Sequence, residues 1–176
     1  AEGAYHGLSH DEFQRVFQKC DLFIDRGDHR VWQEESARVP VRILMDPDPG
    51  YRQIKLHNEA SQASALPKYD AYYTYGARVA NGQSNAPSAS LQWRHVFHPV
   101  DTQRLRPSPP LSDAPFTTVM NWNSHKPVEY DGVSYGMKGV EFAKFLTLPR
   151  CTPASLEVAA EGRKVPHERL RENGWQ

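Results

Sequence analysis

The chain has 176 residues, with 21 Lys and Arg against 21 Asp and Glu, and a mean hydropathy of −0.70. The length suits one ordinary domain or two small ones. The charge balance argues against bulk binding to nucleic acid or to an anionic membrane. The two cysteines, Cys20 and Cys151, form neither a disulfide framework nor a zinc spacing, so a reducing, cytoplasmic setting and no metal are expected. No apolar run reaches the length of a membrane span.

Ser9 and Glu12 have the spacing of a capping box, and Leu8 and Phe13 that of a hydrophobic staple. Phe13, Val16, Phe17 and Cys20 recur at helical spacing, which predicts a helix with one apolar face. Asp21 to Asp25 reads as a short buried strand, and Arg26 to Arg30 as a polar loop at its carboxyl end. A short helix is expected over Trp32 to Arg38. The β-branched run Val41 to Met45 then predicts another buried strand. It meets Asp46-Pro-Asp-Pro-Gly50, which cannot continue a central strand. Asp48 before Pro49 predicts a helix start, with Asp48 as the N-cap.

That helix is expected from Tyr51 to about Ala65, with Tyr51, Ile54 and Ala60 on its apolar face and Pro67 ending it. Tyr69 to Tyr75 is aromatic and β-prone, and Gly76 stops it. It reads as a half-buried strand or as a sugar-stacking platform. Ala80 to Ser90 reads as loop, and Leu91 to Phe97 as a further strand or an irregular packed segment. Four prolines between Leu105 and Pro115 predict a stiff connector. Beyond it come a strand over Phe116 to Met120, a polar turn over Asn121 to Ser124, and a loop over Val128 to Tyr135. A helix is expected over Met137 to Leu148, a strand over Leu156 to Ala160, and a helix over His167 to Glu172 stopped by Gly174.

The segments Tyr5 to Ser9, Cys20 to Asp25, Met45 to Tyr51, Tyr73 to Gly76, Pro115 to Trp122, Val128 to Gly132, Tyr135 to Lys138 and Leu148-Pro149 occur in a distinctive order. In that order they resemble bacterial glycosyltransferase-like proteins of the GT-B type, over nearly the whole chain. The resemblance implies an α/β fold of Rossmann-like parallel-sheet units in two partial domains. Residues 1–105 would be acceptor-side, 106–112 the Pro-rich linker, and 113–176 the start of the donor-side domain. It also implies a middle segment of a longer protein. The first strands with their glycine-rich loop, and the later donor-binding part, would lie outside it, and the chain alone would be incomplete. The unpaired strand edges of such a segment invite homo-oligomers.

The implied reaction moves a sugar from a nucleotide-sugar donor to an unidentified acceptor, typically with no metal cofactor. Asp25, Asp46 and Asp48 would be the strand-end carboxylates, Asp46 first among them as general base. Asn121, Asn123 and Ser124 would touch the donor phosphates. Each carboxylate also has a plain structural reading, as a cap or a turn closer. Two other functions fit the residues. Asp46-Pro-Asp48 resembles the nucleophile motif of magnesium-dependent haloacid-dehalogenase-like phosphatases, although the usual threonine does not follow. A non-catalytic binding or assembly module is the third reading.

Overall fold

The computed structural model describes residues 7–62, 66, 68–109, 111–123 and 126–176. Pro67, the expected helix stop, and Ser124, the third phosphate-binding candidate, lie outside them. The chain divides into two compact units, Ala1–Pro99 and Val100–Gln176. No helix among the described residues is long and apolar enough to cross a membrane.

The first unit contains α1 (His10–Lys19), β1 (Leu22–Arg26), α2 (Gln33–Ser36), β2 (Val41–Asp46), α3 (Tyr51–Ser61), β3 (Ala71–Thr74), α4 (Ala77–Ala80) and β4 (Trp93–His95). Its four strands form one parallel sheet in the order β1-β2-β3-β4. Consecutive neighbours joined by right-handed crossovers put every connecting helix on one face. That face carries Phe23, Leu44, Tyr72 and Trp93, and the core forms there from Leu44, Leu56, Tyr69 and Trp93. On the opposite face Leu22, Ile24 and Val41 are 47%, 48% and 43% exposed. The described residues of the unit therefore form two layers, where parallel sheets usually carry a third.

α1 has the expected capping box: the Ser9 amide donates to Glu12 Oε2 at 2.8 Å and the Glu12 amide to Ser9 Oγ at 3.3 Å. Phe13 packs on Trp32 at 4.5 Å between centroids, and Phe17 lies against Phe23 at 5.8 Å. Val16 departs from the expected face and is 49% exposed. Phe13 and Phe17 anchor α1, and Gln14 Nε2 adds a hydrogen bond to Glu35 Oε1 at 3.4 Å. The Ser9 backbone and hydroxyl hydrogen bonds hold the Glu12 carboxyl below its ordinary pKa. Its cap is therefore complete at neutral pH and is lost as pH falls through the carboxylate range. Glu12→Gln should flatten that acid limb of the stability profile, measured by urea titration from pH 7 to pH 3. An unchanged limb would show that the cap contributes nothing.

α3 starts later than the sequence suggests. Its N-cap is Gly50, at φ 90°, and not Asp48. The Gly50 amide donates to Gln53 Oε1 at 2.6 Å, so the glutamine closes the first turn from inside. The left-handed φ explains the glycine. The buried face of α3 also differs from the expected one. It is Arg52, Gln53, Ile54 and Leu56, while Ala60 is exposed. The β-prone tyrosine run yields only Ala71 to Thr74 as strand, and a turn of helix, α4, follows Gly76.

The second unit contains β5 (Phe116–Asn121), β6 (Val128–Tyr130), β7 (Val133–Tyr135), α5 (Lys138–Phe142), β8 (Leu156–Glu161) and α6 (His167–Glu172). β5 and β8 pair in parallel, Phe116 with Leu156 through Asn121 with Glu161. Met120, Phe142, Leu146, Leu170 and Trp175 form the core beneath one face of this pair. The expected loop over Val128 to Tyr135 is instead a hairpin. Asp131 and Gly132, at φ 50° and 72°, make the two-residue turn with positive φ that matches strand twist. The expected helix over Met137 to Leu148 stops at Phe142, and a 3-10 turn takes over Ala143 to Phe145. α6 ends in a Schellman motif: Gly174 N donates to Arg171 O at 2.9 Å and Trp175 N to Leu170 O at 3.1 Å.

Candidate functional site

The carboxyl ends of β1, β2 and β3 carry Asp25, Asp46 and Thr74, all buried. Asp46 is 0% exposed. Its Oδ1 accepts from the Asp48 amide at 2.8 Å, closing the turn that Pro47 begins. Its Oδ2 accepts from Gln53 Nε2 and from Thr74 Oγ1, both at 2.8 Å. Thr74 Oγ1 in turn accepts from the Gly76 amide at 3.1 Å. This network joins β2, β3, α3 and the turn before α4. It explains why the covered face of α3 carries a glutamine. In this geometry Asp46 positions the turn and offers no oxygen to solvent. Asp48, on the same turn, is half-buried and is the more accessible of the two.

Asp25 heads a second network. Its Oδ2 accepts from Tyr69 Oη at 2.6 Å and its Oδ1 from the His29 amide at 3.3 Å. Gln33 Nε2 donates to Tyr69 Oη at 3.2 Å, and the Arg42 guanidinium lies over the Tyr69 ring. Burial pushes the Tyr69 phenol well above its ordinary pKa, and donation to Asp25 pushes it further. Tyr69 is therefore a hydrogen-bond donor throughout the working pH range.

The loop after β1 is held from beneath. Gly27, Asp28 and Arg30 have φ of 102°, 53° and 57°, a conformation that costs non-glycine residues about 1 kcal/mol or more each. Buried contacts offset that cost. Arg52 donates to the Gly27 carbonyl and reaches Asp28 Oδ2 at 3.4 Å. Arg30 bonds both oxygens of Asp28 and also Glu59. Burial opposes the Arg30 charge, but the hydrogen bonds to Asp28 and Glu59 outweigh it and raise the pKa. Asp28, Arg30, Arg52 and Glu59 escaped the sequence reading. Arg52 and Asp28 sit 24 positions apart, and no local pattern links them.

In the second unit, Asn121 is exposed at the end of β5. Asn123 Nδ2 donates to the Arg163 carbonyl, tying the turn after β5 to the turn after β8. Trp122 N extends the ladder to Glu161 O at 2.7 Å, and Gly139 N donates to Trp122 O at 3.1 Å. The two asparagines thus differ: Asn121 faces solvent, and Asn123 holds the turn.

Family models, curated proteins and solved structures give no match to this chain.

The site is therefore read from its own geometry. Asp25 and Asp46 belong to separate networks on neighbouring strands, and both act first on the fold. Among the described residues, no group of three or more His, Cys, Asp or Glu is arranged to hold a metal ion.

Proposed function

We propose that the protein is glycosyltransferase-like, of the GT-B type, and handles transfer of a sugar from a nucleotide-sugar donor to an acceptor. One observation carries the reading. Parallel strands in both units end in polar turns, at the end of an α/β sheet where ligands gather. The first unit would serve the acceptor, with Asp48 as the general base in place of the enclosed Asp46. Asp48 takes the acceptor hydroxyl proton, the oxygen bonds the anomeric carbon, and the bond to the diphosphate breaks with its electron pair leaving on the nucleotide. Taken by itself, the second unit offers Asn121 as the exposed group for a donor phosphate, with Asn123 positioning the turn. The phosphatase reading is weaker. Its nucleophile would be Asp46, whose oxygens already accept three hydrogen bonds.

Thermal shift with a panel of nucleoside diphosphates and their sugars, with and without magnesium, tests this proposal. A ligand at about 100 times its Kd adds about 2.7 kcal/mol, a shift of several degrees for a chain of this length. One nucleotide should shift the melting temperature selectively and without metal, and Asn121→Ala should abolish the shift. Asp48→Asn should keep the shift and lose transfer about a hundredfold or more. A folded sample that no nucleotide stabilises would remove the transferase reading.

A further inference from the structure

A cavity of about 310 Å³ lies at the outer edge of β1. It is bordered by Phe23 to Arg26 on one side and by His29 to Trp32 on the other. Its volume falls near the lower end of small-molecule sites, roughly 300 to 1,000 Å³. That is room for a single ring with one charged substituent.

β1 is the outermost strand of its sheet. Asp21 O accepts from Val41 N, and Gly27 N donates to Met45 O. The two-residue period of the ladder then turns the backbone groups of Ile24 and Arg26 outward, toward the cavity. The apolar walls are open, with Ile24 48% and Val31 64% exposed. The charged lining is Arg26 and Arg30 against a single carboxylate, an excess of one positive charge. Asp25 also borders the cavity, but Tyr69 and the His29 amide engage its two oxygens. Arg30 is committed to Asp28 and Glu59. The Arg26 and His29 side chains are exposed, and among the described residues no hydrogen bond or ion pair is formed by either. The His29 ring lies close over Gly27, where an added Cβ would come within 3.1 Å of Nε2. The His29 backbone is tied to the strand end through its amide, which donates to Asp25 Oδ1 at 3.3 Å.

We propose that this cavity binds a small organic anion. Its phosphate or carboxylate is held by Arg26 and the His29 imidazole, and its ring lies against Ile24 and Val31. The guanidinium matches such an anion by paired, charge-assisted hydrogen bonds. The proposal stands apart from the transferase reading.

Calorimetric titration of the full chain with phenyl phosphate, benzoate, phenol and inorganic phosphate tests it. Phenyl phosphate or benzoate should bind at one site, and whichever is tighter names the anion. Phenol and inorganic phosphate should each bind at least about tenfold more weakly, because each has half of the ligand. Arg26→Glu and Val31→Asp place negative charge at two exposed rim positions and should each weaken the tighter probe about tenfold or more, with unchanged circular dichroism. Should one variant fold poorly, the other carries the comparison. Undiminished binding in a folded variant, phenol binding as tightly as the anions, or no binding by either aromatic anion would overturn the proposal. None of these probes is a nucleotide, so failure here leaves the transferase reading intact, and the reverse also holds.

Discussion

Asp46→Asn is expected to destabilise the first unit by about 2–4 kcal/mol, despite its near-identical shape. The reason is the fixed polarity of the network. Three donors converge on the carboxylate at 2.8 Å: the Asp48 amide, the Gln53 amide group and the Thr74 hydroxyl. An asparagine supplies one oxygen and one NH₂ group, so at least one donor must face another donor. The partners cannot adapt cheaply. Turning the Gln53 amide over would break its 2.6 Å acceptance from Gly50 N, which caps α3. Rotating the Thr74 hydroxyl would relieve only its own contact, since Gln53 Nε2 points at the same oxygen position and would still face the NH₂ group. Water cannot easily intervene at a side chain that is 0% exposed. Asp46→Ala should cost more, because three buried donors lose their acceptor together. Adding Thr74→Val to Asp46→Ala should then cost less than the sum of the single changes. Urea titration followed by circular dichroism measures these differences. A shift for Asp46→Asn within about 0.5 kcal/mol of zero would mean that the network is not formed.

The same network marks how far the sequence could be read. The run Val41 to Met45 followed by prolines identifies a strand that stops, and β2 does so at Asp46. The capping spacing at Ser9 and Glu12 is equally local, and α1 begins there. Local signals of this kind survive folding because they depend on neighbours within one turn. The Asp48-Pro49 pair failed as a cap because a Gly50 amide with Gln53 three positions on provided a tighter closure. The glycine at the end of the turn was the available signal. The hairpin at Val128 to Tyr135 was missed because its strands are three residues long, too short for alternation to register. Its turn pair, Asp131 and Gly132, is of the type that tolerates the positive φ such a hairpin needs.

The polar interior of the first unit was hidden for a different reason. Hydrophobic periodicity places apolar residues on the covered face, yet α3 buries Arg52 and Gln53 there. Each is matched to a partner from another strand end, Asp28 for the arginine and Asp46 for the glutamine. Burial of such groups is tolerable only when they are paired. The pairing is a property of the assembled sheet, which brings together positions 7 to 44 residues apart. This also bears on the transferase proposal. The carboxylates most visible in the sequence are those the fold uses to set its strand-end turns. Of the three carboxylates singled out there, Asp25 and Asp46 are enclosed, and the proposed base is the half-buried Asp48.

Trp175→Ala should cost the second unit about 3–5 kcal/mol, the range for a large aromatic removed from a core. Trp175 is 6% exposed and belongs to the cluster of Met120, Phe142, Leu146 and Leu170. Its ring lies 4.8 Å from that of Phe142. The indole Nε1 also donates to the Leu146 carbonyl at 2.8 Å, at the end of the 3-10 turn that interrupts the expected long helix. The same residue completes the Schellman closure on Leu170, and the following Gln176 pairs with Leu156 and Val158 along β8. One side chain thus ties α6, the broken helix and the sheet to a common core. Trp175→Phe separates the two contributions. It keeps much of the aromatic packing and removes the hydrogen bond, so it should cost about 1–2 kcal/mol. Denaturant titrations of both variants measure the difference. A loss under about 1 kcal/mol for Trp175→Ala would contradict this account of the core, because a buried tryptophan in close contact cannot be removed so cheaply.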